Sequence, residues 1–311
     1  MIVRCAQWML VVAVMLLAAC APKSALDRPL GGRPVMAITV DDIPEHGALP
    51  PGVTRADLSR EMVAALKAAR VPAYGFVNAG PAEREPGGMA AVELWAQTFP
   101  VASHTWSHPN LDDLTAEDYQ ADIARNEPLL ERFAKGRDWR WFRYPFLSEG
   151  DDPAKRAAVR AFLAGRNYRI AAVTMDFSDW AYNDPYARCA AKGDKAAIAA
   201  LEEDWLDAAR YSVRASREMA RSLYGGDIPY VLLTHLGGFD AHMFPRLLTL
   251  YKDMGFRFVT LEQAQNHPHY AQDNNPRLPA EPAGLEARMY AKGLKPPAER
   301  APKVDLTTIC T

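Results

Sequence analysis

From residue 35 onward, short apolar β-rich runs alternate with amphipathic helical stretches. This alternation constrains the chain more than any other feature, because it specifies parallel βα units. The runs fall at 35–40, 73–77, 99–103, 141–144, 170–175, 230–234 and 256–259. Between them, 56–69 has a helical face of Leu58, Met62, Ala65, Leu66 and Ala69, with Thr54 as its cap. Further helices are predicted over 89–98, from Thr115 to about 135, over 153–164 and over 242–254. The longest, over 195–223, places Ile198, Leu201, Trp205, Ala208, Ser212, Ala215, Met219 and Leu223 at steps of three and four, as for a helix docked on a core. A chain of 311 residues, 49% hydrophobic, suits one α/β barrel. Its net charge of -2 gives no reason to expect nucleic acid as a partner.

The ends read differently. An apolar run at 8–19, preceded by Arg4, is too short for a confident membrane span and fits a signal-peptide core. It ends in Leu17-Ala18-Ala19-Cys20, which resembles a bacterial lipobox with Cys20 as the lipidated residue; an ordinary secretory signal is the alternative. The expected organisation is a lipoprotein signal peptide at 1–19, a tether at 20–34, one catalytic domain at 35–265 and an irregular Pro-rich tail at 266–311. Such a chain is exported and lipid-anchored to the cell envelope, with the outer membrane facing the periplasm as the expected place. Cys189 and Cys310 remain, either as a disulfide or as two free thiols.

The reactive residues cluster by position. Asp41 and Asp42, His104 and His108, Asp176 and Asp179, and His235 each follow one of the apolar runs, and Arg143 sits at the end of another. In parallel α/β folds, sites are built at that edge. His104 and His108 form an HxxxH pair; two imidazoles with one carboxylate make a catalytic divalent-metal set with positions left open. Adjacent aspartates on an extended strand point opposite ways, and a turn at the strand end lets both line one cavity in different roles.

The segments TVDD at 39–42, HTWSH at 104–108, RYPF at 143–146, DFSDW at 176–180 and LLTH at 232–235 occur in the order of the polysaccharide deacetylase family (NodB homology, carbohydrate esterase 4), which the chain resembles over roughly 35–262. The resemblance implies a distorted, TIM-like (β/α)7 barrel. It makes Asp41 the catalytic base and Asp42, His104 and His108 the metal ligands. Arg143 orients Asp41, His235 is the general acid, and Asp179 tunes it. Tyr144, Pro145, Phe146, Trp180 and Leu232 line the substrate groove. The implied cofactor is one divalent ion, zinc before cobalt, nickel or manganese. The implied partner is a polysaccharide or oligosaccharide, bound by a monomer.

The chain departs from the common pattern in three places. Ile43-Pro44-Glu45-His46-Gly47 stands where a glycine usually follows the aspartates, so His46 either reaches the groove or serves a turn. Phe146 replaces a frequent Tyr. A helical insertion spans 183 to about 224. The expected activity is N-deacetylation of an N-acetylglucosamine-type glycan. Two alternatives stand beside it: an O-acetyl esterase on a xylan-like glycan, and a non-catalytic glycan-binding envelope lipoprotein.

Overall fold

The computed structural model describes residues 33–311, so the signal segment, Cys20 and most of the tether lie outside the described residues. Seven parallel strands form one curled sheet: β1 (Val35–His46), β2 (Ala73–Val77), β3 (Val101–Ser103), β4 (Trp141–Phe142), β5 (Arg169–Ile170), β6 (Tyr230–Gly237) and β7 (Arg257–Val259). The helices are α1 (Arg55–Ala69), α2 (Ala79–Arg84), α3 (Gly88–Ala96), α4 (Ala116–Ala134), α5 (Pro153–Gly165), α6 (Asn183–Lys192), α7 (Lys195–Tyr224), α8 (Gly238–Asp253), α9 (Leu261–Gln265) and α10 (Gly284–Ala291).

The strand order is β5-β4-β3-β2-β1-β6, with β7 also on β1. Met36 pairs with both β6 and β7, and Ile38 with both β6 and β2. β6 therefore holds one edge of β1, while β7 and then β2 share the other. A strand paired on both edges and covered on both faces is mostly apolar, and β1 is buried from Val35 to Pro44, with Thr39, Asp41 and Asp42 as its polar residues. Past β5, Met175 bridges to Leu232 of β6, so the curl nearly closes on itself. This is the distorted (β/α)7 barrel.

Local chemistry sets the helix ends. Thr54 and Asp57 form a reciprocal capping box on α1. Asp152 caps α5 ahead of Pro153, accepting from the Ala154 amide at 2.8 Å. The insertion holds the expected long helix, α7, preceded by the shorter α6, which Gly193 (φ 65°) ends in a left-handed turn. α7 buries Leu201, Trp205, Ala208, Ser212 and Met219, the stripe expected from its spacing. The Pro-rich tail contains α10 and then runs over α6 and α7. There Cys310 is disulfide-bonded to Cys189 (Cα–Cα 5.1 Å), and buried Asp204 accepts from the Lys303 amide at 3.1 Å. No helix among the described residues is long and apolar enough to cross a membrane.

Candidate active site

The aspartate pair does not follow β1 but lies inside it. The strand runs on to His46, and the polarity change at 41 marks a bulge: registers shift after Val40 against β2 and after Asp41 against β6. Asp42 takes φ 59°, a left-handed conformation that Asp tolerates better than most residues. The alternation of a flat strand is broken, and both carboxylates face one cavity. Asp42 Oδ1 lies 3.4 Å from His104 Nε2 and 3.3 Å from His108 Nε2. Asp41 Oδ2 lies 3.7 Å from His104 Nε2 and 3.6 Å from Arg143 Nη1.

His104 sits just past β3 with Nδ1 2.8 Å from the Arg143 carbonyl oxygen. A carbonyl only accepts, so Nδ1 carries a proton, and Nε2 is the nitrogen turned toward Asp42. His108 is reached through a loop whose geometry Asp122 holds, accepting from the Trp106 amide (2.7 Å), the Ser107 amide (3.0 Å) and the Ser107 hydroxyl (2.6 Å). Burial, with neighbouring His104, lowers the His108 pKa to about 4 against the pull of Asp42, so its imidazole is neutral at pH 7. Burial opposes ionisation of Asp42, but the nearby imidazoles of His104, His46 and His108 hold its carboxyl well below the usual range. The donor set is thus one carboxylate and two imidazoles, converging on a point where Asp42 Oδ1, though buried, has no hydrogen-bond partner. That orphaned oxygen, placed between two imidazole nitrogens, fits a divalent cation.

Across the cavity stands His235, in β6 opposite Asp41 in the ladder. Fully buried Asp179 grips it twice, accepting from its backbone N–H at 2.7 Å and from Nδ1 at 3.0 Å, which leaves Nε2 toward the cavity. Burial works against charge on this ring, but Asp179, then Asp42 and Asp41, outweigh it and raise the pKa to about 10. Arg143 is buried beneath Asp41, donates to Thr39 Oγ1 at 3.1 Å and lies over the Phe76 ring.

The remaining candidates divide. Phe146 (φ 58°) is 64% exposed beside His108, ring centres 4.8 Å apart, and Trp180 is 47% exposed beside His46 at 5.9 Å. These two form the rim. Pro145 is buried behind Phe146. Tyr144 turns inward, packed on Phe142 and Tyr119, and Leu232 is fully buried in β6, bridged to Met175. Asp176 accepts from the Ser178 amide at 2.9 Å. His46 contacts Asp42 rather than serving only a turn: its Nδ1 is 2.6 Å from Asp42 Oδ2. Four supports escape sequence reasoning. Asp122 lies mid-helix among other charges, and Asn126 donates to Val77 O (2.8 Å) and Ser103 Oγ (3.1 Å). Asn183 donates to Asp240 at 2.7 Å, behind His235. No spacing singles these residues out, although a polar residue on an otherwise apolar helix face, as at Asn126, is the one available signal.

A family model for polysaccharide deacetylases matches residues 30–162. Among solved structures, the chitin deacetylase from the fungal pathogen Colletotrichum lindemuthianum is similar at 22% identity, covering 75% of this chain and 88% of that one, with a TM-score of 0.51. A carbohydrate esterase 4 family pseudoenzyme from Bacillus anthracis is similar at 14% identity, covering 75% of this chain and 66% of that one, with a TM-score of 0.50. At such identities the likeness speaks for the fold, which a deacetylase and a pseudoenzyme share, and the site residues must carry the question of activity. No curated protein matches the chain. Residues 30–162 thus match the model of the polysaccharide deacetylase family, and three quarters of the chain (75%) shares the fold of these solved structures.

Proposed function

We propose that the chain is a metal-dependent hydrolase that removes N-acetyl groups from an N-acetylglucosamine-type glycan of the envelope or of an exported polysaccharide. The reading rests on one observation above all. A buried carboxylate with a free oxygen, Asp41, and an imidazole with a free Nε2, His235, flank the Asp42–His104–His108 set from different strands. A divalent ion at that set, zinc by preference, supplies a Lewis acid for the acetyl carbonyl and lowers the pKa of water toward ~7.

The chain's own groups account for the proton movements. Asp41 Oδ1 has no hydrogen-bond partner and accepts the proton of the attacking water, while Arg143 Nη1, 3.6 Å from Oδ2, keeps the carboxylate aimed. His235, its Nδ1 tied to Asp179, gives its Nε2 proton to the departing amine nitrogen. Phe146 and Trp180 offer exposed ring faces to the sugar on either side. Asp41→Asn should lower kcat on the order of 10²–10⁴-fold with metal content unchanged. Export and lipid anchoring through Cys20 belong to the same proposal, supported by the apolar run at 8–19 and the LAAC sequence at 17–20.

The test is acetate release by the purified protein from N-acetylglucosamine oligomers, peptidoglycan and acetylated xylan. The proposal expects release from the N-acetylated substrates, abolished in Asp41→Asn. Release from xylan alone would make the chain an O-acetyl esterase, and no release from any substrate with metal bound would leave a glycan-binding protein.

A further inference from the structure

His46 is absent from the motifs that led to the site, yet it makes a close contact with a metal ligand. Its Nδ1 lies 2.6 Å from Asp42 Oδ2. A carboxylate oxygen only accepts, so the imidazole N–H donates, and the contact is a charge-assisted hydrogen bond. Asp42 Oδ1 meanwhile faces His104 and His108. The two oxygens of one carboxylate are therefore assigned to different tasks.

The loop that brings His46 back is built rather than incidental. Arg55 of α1 pairs with Glu45. His46 rejoins the ladder opposite Gly237 of β6. Gly47 reverses the chain at φ 74°, and a Cβ there would lie 2.9 Å from Asp184 Oδ1. That same oxygen accepts from the Ala48 amide at 2.7 Å. Asp184 opens α6, the first helix of the insertion, and its neighbour Asn183 is wired to Asp240 and to the Phe239 amide (2.8 Å) behind His235. The insertion thus braces both the His46 loop and the end of β6. His46 is 29% exposed by its side chain, with its ring 5.0 Å from that of His235 and 5.9 Å from that of Trp180.

We propose that His46 is a positioning residue of the metal centre: its Nδ1–H clamps Asp42 Oδ2, so that Asp42 meets the ion through Oδ1 alone. The inference rests on the metal reading of Asp42, His104 and His108. An aspartate carboxylate can turn about its Cβ–Cγ bond, and an outer hydrogen bond fixes that angle before the ion arrives. Loss of such an outer-shell partner typically costs 10–100-fold in metal affinity.

The experiment measures zinc affinity and stoichiometry by competition with a chromophoric chelator, on wild type, His46→Ala, His46→Asn and His104→Ala, with thermal melting of each metal-free protein as the folding control. The Asn side chain carries an N–H donor at the δ position, as His Nδ1 does. The proposal expects one ion per chain throughout the His46 series, affinity about 10–100-fold weaker in His46→Ala, and recovery to within a few-fold in His46→Asn. Unchanged affinity in His46→Ala overturns it and leaves His46 as a groove residue. Two ions per chain, one lost in His46→Ala, also overturns it and makes His46 a direct ligand. If His104→Ala binds zinc as tightly as wild type, the metal reading itself has failed, which is a separate outcome.

Discussion

Asp179 has no solvent contact and commits both oxygens to His235, one to the backbone N–H and one to the ring. Its charge is the main force raising the His235 pKa to about 10 against burial. Asp179→Asn keeps an acceptor for the ring N–H but removes the charge. The sign follows directly: without the carboxylate the imidazolium is less favoured, so the His235 pKa falls. A general acid works only while protonated, so the alkaline limb of kcat/KM moves to lower pH in Asp179→Asn. Acetate-release rates across pH 6–10 on both proteins check this; an alkaline limb that stays in place or moves upward contradicts the assignment of His235 as acid. Behind Asp179, burial pushes the Asp240 carboxyl well above its usual range, with the Asp179 charge adding to it.

The junction of β6 and α8 shows how closely the elements are fitted. A Cβ at Gly237 would fall 2.0–2.2 Å from the side-chain atoms of Asn183, with φ -120°, so the constraint is steric rather than conformational. Gly237→Ala should destabilise the fold by about 1–3 kcal/mol, read as a lower urea midpoint; an unchanged midpoint would mean that Asn183 moves aside freely. The elements that sequence periodicity reports well are those with one buried face, such as α1, with its Thr54 cap, and α7. It reports poorly where tertiary pairing decides. β1 continues six residues past Val40 because β6 and the chain after β2 remain beside it, and β5 keeps only two ladder residues before the chain leaves the sheet to bridge again at Met175. The site histidines and aspartates were legible because their chemistry and spacing are unusual. The left-handed backbone at Asp42, His108 and Phe146 was not, since none of these is glycine and only the assembled cavity requires those angles.

At the scale of the molecule, the barrel is tied to its tail. The Cys189–Cys310 bond closes a separation of 121 residues, and Arg188 reinforces it by donating to Leu306 O at 2.8 Å. Cys189→Ser with Cys310→Ser should cost about 2–5 kcal/mol of stability, and reductant should lower the wild-type melting temperature while leaving the double variant unmoved. Metal content should be unchanged, because neither cysteine touches the Asp42–His104–His108 set; a loss of metal would show that the tail shapes the site. The central claim joins that set to hydrolysis, and one measurement reaches it most directly: acetate release from an N-acetylglucosamine oligomer by protein stripped with a chelator, then reloaded with stoichiometric zinc, beside His104→Ala treated alike. The account predicts loss on stripping, recovery on reloading, and no recovery in His104→Ala; release that persists undiminished in the stripped protein would contradict it.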